Sequence, residues 1–320
     1  MKLQTIVPLH SEKERIAYQS RLFLLGSCFV ENIGRKLNYY QFETLQNPFG
    51  ILFHPMAIEN LIVRAIEEKT YTDADVFYFN ERWHCFDAHS ELSDPSKEIL
   101  LANLNSALLK TRNQLGKATH TIITLGTSWV YKDVKAQQRV ANCHKLPQKQ
   151  FTKELLTASE IEESLSRIIS NIRKVNESAS LIFTISPVRH LKDGFVENQR
   201  SKANLISAVG KILESTSSNK NLFYFPAYEI MLDELRDYRF YAENMVHPNY
   251  LAIDYIWEKF KSVWISEKAE IVMKEVQEIQ KGLSHRPFNE NAQQHQFFLK
   301  SLNEKIFVLK KEYPFMNFDI

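Results

Sequence analysis

Arg21-Leu22-Phe23-Leu24-Leu25-Gly26-Ser27-Cys28-Phe29 is the stretch on which the reading of this chain turns. Residues 22–25 form a short, continuous apolar run of the kind that makes a strand buried on both faces. Directly after Gly26-Ser27-Cys28-Phe29, Val30, Ile33 and Leu37 recur at helical spacing. A strand therefore runs through a tight turn into a helix, with Ser27 at the junction. A serine in that position sits at the carboxyl edge of a sheet, where the first backbone N–H groups of the helix are available to an oxyanion. That geometry suits a nucleophile, and it equally suits a serine that only caps the helix.

Working outward, the same alternation continues. Strands are predicted over 22–25, 42–45, 119–125, 181–185 and 222–225, with helical stripes at Ile58/Leu61/Ile62/Ala65/Ile66, Leu104/Leu108, Ile161/Leu165/Ile168/Ile172 and Leu205/Val209/Ile212. Right-handed crossovers fold such an order into a doubly wound α/β domain, a five-stranded parallel sheet between two layers of helices. Residues 71–95, with Phe77, Tyr78, Trp83 and Phe86, interrupt the alternation and read as an inserted hairpin or long loop. Beyond Phe260 the pattern changes to two amphipathic stripes, Val272/Val276/Ile279 and Phe298/Leu302/Ile306/Leu309, separated by Gly282 and Pro287. The expected organisation is an α/β domain over residues 1–265 and a helical hairpin over 266–320 that covers the core or a partner subunit.

Composition narrows the function. With 320 residues, 44% hydrophobic, the chain has enough apolar surface for a large core. A net charge of +2, with basic residues scattered among acids, gives no footprint for nucleic acid. No segment has the length of a bilayer-spanning helix and the N-terminus lacks an apolar leader, so the expected address is the cytoplasm, without a membrane partner. Cys28, Cys85 and Cys143 are odd in number and widely spaced, and read as free thiols.

Few other residues have the pattern of a site. In Asn244-Met245-Val246-His247-Pro248-Asn249, the proline places His247 on a loop ahead of the next helix, either facing a cleft or at the surface. Cys28 is an alternative nucleophile, because a helix N-terminus lowers a thiol pKa. His84, Cys85, His89, Cys143 and His144 include zinc-ligand types, but their spacing matches no established site and packing roles are expected. Arg189 and His190 follow the fourth strand, where the guanidinium would either bind a substrate anion or pair with Asp193 or Glu197.

Taken together, Gly26-Ser27-Cys28-Phe29, Asn47-Pro48-Phe49-Gly50, Asn142-Cys143-His144-Lys145, Ser186-Pro187-Val188-Arg189-His190 and His247-Pro248 resemble the motif series of the GSCFA family. That family is placed with the SGNH or GDSL-like hydrolases. Val30 stands where the family's name motif has alanine. The resemblance implies a three-layer α/β/α fold with a five-stranded parallel sheet of the SGNH/flavodoxin-like kind. It implies Ser27 as nucleophile, His247 as its base, and Gly50 as an oxyanion donor. Gly126 and Ser128 fall in place of a Gly-x-Asn block, with Asn142 as a substitute amide for the missing asparagine. Asn244 stands where that superfamily has the aspartate that orients the histidine.

The activity so implied is hydrolysis of an O-acyl ester through an acyl-Ser27 intermediate, on a small-molecule or glycan ester, with no cofactor and no metal. A catalytically silent ligand-binding module and an O-acyltransferase are the alternatives.

Overall fold

The computed structural model describes residues 4–215, 221–289 and 291–318. Strand β1, Arg21–Gly26, leads through Ser27 into helix α1, Cys28–Tyr39, and returns as β2, Glu43–Gln46. Helix α2 (Pro55–Ile66), a hairpin of β3 (Val76–Phe79) and β4 (Arg82–Cys85), and helix α3 (Lys97–Lys117) lead to β5, His120–Leu125. A small antiparallel sheet follows, from β6 (Trp129–Asp133), β7 (Arg139–Val140) and β8 (Phe151–Leu155) in the order β7-β6-β8. Then come α4 (Ala158–Val175), β9 (Ser180–Ile185), α5 (Phe195–Ser215) and β10 (Leu222–Phe225). The remaining helices are the short α6 (Ala227–Glu229), α7 (Tyr250–Trp264), α8 (Glu267–Leu283) and α9 (Gln293–Glu312).

The central sheet has the order β10-β9-β5-β1-β2, and every pairing in it is parallel. Side chains alternate across a strand, and here both faces are apolar. Phe23, Leu25, Ile123, Leu125, Leu181, Phe183 and Ile185 face α2, α3, α4 and α5. Leu22, Leu24, Ile122 and Ile182 face α1, α7, α8 and α9. The three-layer α/β/α arrangement follows, because a sheet buried on both faces needs a helical layer on each. All five strands lie within a residue or two of the sequence reading. The three-stranded sheet was not anticipated, since its strands mix charged and aromatic residues without a clean alternation.

The chain leaves β1 toward β2 and then returns to the other side of β1 as β5. That reversal is the topological switch point, outside whose carboxyl ends ligands bind in open α/β sheets. Ser27 and Gly126 terminate the two strands that flank it.

Helices α8 and α9 cover the second face. Ala269, Met273, Val276 and Ile279 from α8, and Leu302, Ile306 and Leu309 from α9, enter the same cluster as Trp257, Phe260 and Trp264 of α7. The exposed side of α9 carries Phe297 and Phe307, which stay in solvent, so the buried stripe of this helix is narrower than its apolar content suggests. No helix among the described residues is long and apolar enough to cross a membrane.

Ile279 is fully buried in that cluster. Ile279→Ala is expected to lower unfolding free energy by about 2–5 kcal/mol, read from denaturant midpoints; a change near zero would mean that the α8–α9 layer does not contribute to the cooperative core.

Candidate active site

Gly26 sets the turn. Its φ of +126° lies in a region that side-chain-bearing residues rarely adopt, and a Cβ there would lie 2.1 Å from the Thr124 carbonyl oxygen of β5. The close approach lets the Ser27 N–H donate to that carbonyl at 3.0 Å. Ser27 then occupies the N-cap position of α1, yet its side chain makes no cap hydrogen bond. It is 0% exposed and its Oγ has no partner among the described residues. A capping serine contributes about 1 kcal/mol through its hydroxyl; this one forgoes it.

The space in front of Ser27 is bounded by Gly126. A Cβ on Gly126 would lie 3.1 Å from Ser27 Cβ, 3.0 Å from the Phe53 carbonyl oxygen and 3.4 Å from His190 Nε2. A side chain there would crowd the serine, the imidazole and the Phe53 carbonyl together. His190 Nε2 is buried and also unpartnered, as is the side-chain nitrogen of Asn47 at the end of β2. Buried polar atoms are normally hydrogen-bonded, and these three unpartnered atoms lie together near the carboxyl ends of the strands. Burial first, then the neighbouring Lys202 and His247, pull the basicity of His190 down to about 3, so the ring is neutral near pH 7.

Lys202 lies beneath this crevice, fully buried in mid-helix α5. Its Nζ donates to the carbonyl oxygens of Gly126 and Ser186, each at 2.7 Å, tying together the chain leaving β5 and the chain leaving β9. Burial lowers its pKa to about 7. The sequence reading missed it, although Asn198, Ser201 and Lys202 precede Leu205, Val209 and Ile212 on the buried face of one helix. Polar residues that continue an apolar stripe were the available signal.

His247 is on an exposed loop, as the proline implied, and makes no hydrogen bond with Ser27. Asn244 governs its ring. The Asn244 Oδ1 accepts from the backbone N–H groups of Val246 and His247, both at 3.0 Å, which fixes the orientation of the amide. The Nδ2 group therefore faces His247 Nδ1 at 2.9 Å and donates to it. An imidazole that accepts at Nδ1 carries its proton on Nε2. Glu243 makes no hydrogen bond or ion pair with this ring.

The oxyanion donors implied by the resemblance are engaged within the protein. The Gly50 N–H donates to Asn47 O at 2.8 Å, and the Gly126 N–H to Phe53 O at 2.8 Å. Ser128 is bound through both N–H and hydroxyl to Ser201, and Asn142 Nδ2 donates to Ser90 Oγ at 3.3 Å. Cys28 is a poor rival nucleophile, since burial and Glu31 raise its thiol pKa.

Arg189 pairs with neither Asp193 nor Glu197. Asp193 is bound to Lys153. The Arg189 backbone N–H and Nη1 instead hold the His247 loop through Val246 O and Met245 O, both at 3.0 Å. Its guanidinium lies 5.2 Å from the Tyr241 ring centre, in a cavity of about 360 Å³. A second cavity of about 440 Å³ adjoins the crevice through Thr127 and His190, with Phe53, Trp129, Tyr131 and Phe151 as aromatic walls. The small sheet contributes three of those four rings.

Comparison with known families decides the affiliation. The GSCFA family model matches residues 21–260, and the model for the GSCFA domain protein C-terminal domain matches residues 276–319. This chain belongs to the GSCFA family. A search of curated proteins found no match. Within the GSCFA region, the family match spans all five strands of the central sheet, Ser27, His190 and His247.

Three further buried histidines have structural partners. His54 accepts from the Ala57 N–H at Nδ1 and faces Val140 O through Nε2, capping α2 against β7. His144 bridges Cys85 O and Ser90 Oγ, and His84 bridges Phe79 O and Ser93 Oγ. No group of three metal-ligating side chains is assembled among the described residues.

Burial holds His54 and His144 at about 4 and His190 at about 3, whereas histidines of the unfolded GSCFA chain titrate near 6.5. Below about pH 6.5 the unfolded state binds more protons than the folded state, so stability present above that pH is lost as pH falls toward 4. Urea midpoints between pH 7.5 and 4.5 are expected to decline, and His54→Gln to flatten the decline; an unchanged slope would show that His54 is not held neutral.

Proposed function

We propose that this GSCFA protein is a serine-dependent acyl-ester hydrolase of the SGNH type, with a cytoplasmic address. The observation that carries the reading is the buried, unpartnered Ser27 Oγ, held at the N-terminus of α1 without capping it.

In this reading Ser27 Oγ attacks the acyl carbonyl carbon while its proton passes to His247 Nε2 in the minor tautomer that leaves that nitrogen bare. The carbonyl π electrons move onto oxygen, and the tetrahedral intermediate then expels the alcohol, which takes the proton back. Water, or an acceptor hydroxyl in the transferase variant, resolves acyl-Ser27 by the same steps in reverse. The aromatic cavity beside His190 accommodates one side of the ester, a small-molecule or glycan group. No cofactor or metal enters the scheme.

Asn244 limits the rate in this scheme. It holds the His247 proton on Nε2, the atom that must be bare to receive the serine proton. In a serine-protease triad the same exchange of aspartate for asparagine lowers turnover about 10⁴-fold through the wrong tautomer. That pinned amide is also the observation favouring the second reading, a ligand-binding module that retains the cleft without turnover.

A fluorophosphonate probe is expected to modify wild-type protein once and to leave Ser27→Ala unmodified, as measured by intact mass. Labelling of Ser27→Ala to the wild-type extent would remove Ser27 from the mechanism.

Asn244→Asp supplies an acceptor for Nδ1–H and frees Nε2. Its kcat on a generic aryl acetate is expected to rise tenfold or more, within a ceiling of about 10⁴, and to vanish when Ser27→Ala is added. With folding verified, an unchanged rate in an inactive protein would favour the binding module.

A further inference from the structure

The mechanism above leaves the acyl oxygen without a side-chain partner, and leaves His190 without a task. The Gly50 and Gly126 N–H groups are committed to Asn47 O and Phe53 O, both Ser128 donors to Ser201, and one N–H of the Asn142 amide is directed to Ser90 Oγ. In the first turn of α1 the Val30 N–H is itself bound to Ser27 O at 2.9 Å, so the helix end does not present its full set of N–H groups. A serine nucleophile that builds up negative charge on a carbonyl oxygen gains most from fixed donors placed around that oxygen. His190 Nε2 is buried and unpartnered, and both it and the Ser27 side chain border the position that a Gly126 side chain would take, at 3.4 and 3.1 Å from its Cβ.

We infer that His190, through an Nε2–H group, is the side-chain donor to the acyl oxygen when Ser27 attacks. The inference rests on the Ser27 reading of the preceding section. The ring is held for such a role. The His190 backbone N–H donates to Asn198 Oδ1 at 2.8 Å, and the ring stands edge-on to Phe53, with centres 5.8 Å apart and planes at 85°. Arg189, one residue earlier, fixes the same segment to the His247 loop. The low basicity of His190 fits a donor and not a base: the ring stays neutral, keeps one N–H, and takes up no proton from Ser27. In the step itself the carbonyl π pair moves to oxygen and His190 Nε2–H hydrogen-bonds to the resulting oxyanion. No proton leaves His190, and the hydrogen bond relaxes when the carbonyl re-forms.

Two measurements test this. Nitrogen-15 NMR of the histidine rings in wild-type protein should show the His190 proton on Nε2; a proton on Nδ1 with a bare Nε2 overturns the inference. The second is the rate of phosphonate labelling of Ser27 in wild type, His190→Ala and His190→Gln, each checked for folding by circular dichroism. Loss of the donor is expected to slow labelling about 10²–10³-fold in His190→Ala, while the glutamine amide should recover at least about tenfold of that loss. Equal rates for wild type and His190→Ala, or a glutamine variant as slow as alanine, overturn the donor role while leaving Ser27 in place. Wild-type protein that the phosphonate does not label overturns the Ser27 reading, and the inference with it.

Discussion

The junction of β1 with β5 is the contact on which the site depends. Gly26 pairs with Thr124 in the parallel register, and only a residue without a side chain allows the β1 backbone to approach the Thr124 carbonyl so closely. Because Ser27 N–H is then bound to that carbonyl, α1 starts at a fixed point above the switch in strand order. The serine hydroxyl does not close back on its own helix, and its oxygen is buried without a hydrogen-bond partner. A second glycine, Gly126, follows β5, where a Cβ would lie 3.1 Å from the Ser27 Cβ.

Two imidazoles stand near this crevice, and their surroundings assign them opposite properties. His190 is half-buried, lies near the Lys202 ammonium position, and has no hydrogen-bond partner for its buried Nε2. His247 is on an exposed loop, its ring aligned by an amide whose own oxygen is fixed by two backbone N–H groups. A carboxylate at position 244 could take the same two N–H groups on one oxygen and the ring N–H on the other. The amide takes the first two identically and reverses the third hydrogen bond. The single-atom difference between aspartate and asparagine thus changes the tautomer while the loop keeps its shape.

Stability and site draw on different parts of the fold. The layer formed by α1, α7, α8 and α9 is almost wholly apolar where it meets the sheet. The opposite layer admits polar groups where α5 passes under the crevice, at Asn198, Ser201 and Lys202, and every one of these is tied to backbone or side-chain partners. The small sheet β6-β7-β8 adds the aromatic wall beside His190, and the Lys153 ammonium lies 4.5 Å from the Trp129 ring centre, between that wall and Asp193.

The sequence by itself determined the parallel α/β core, the serine at the first strand-to-helix turn, the loop position of His247 and the asparagine beside it. These are local: apolar runs of strand length, helical stripes, and a proline after histidine each act within a few residues. Tertiary structure alone decided which polar atoms meet. Lys202 reads as a surface residue until α5 is rotated onto the sheet. His190 reads as a loop histidine until β9 and β5 are paired, because Gly126 and His190 are brought together by strand order and not by sequence spacing. The engagement of Gly50, Ser128 and Asn142 within the protein was likewise invisible, since hydrogen bonds such as Ser128 to Ser201 join residues 73 apart. Whether a donor is free is a property of its three-dimensional neighbours, and residue type and order specify those only after the chain has packed.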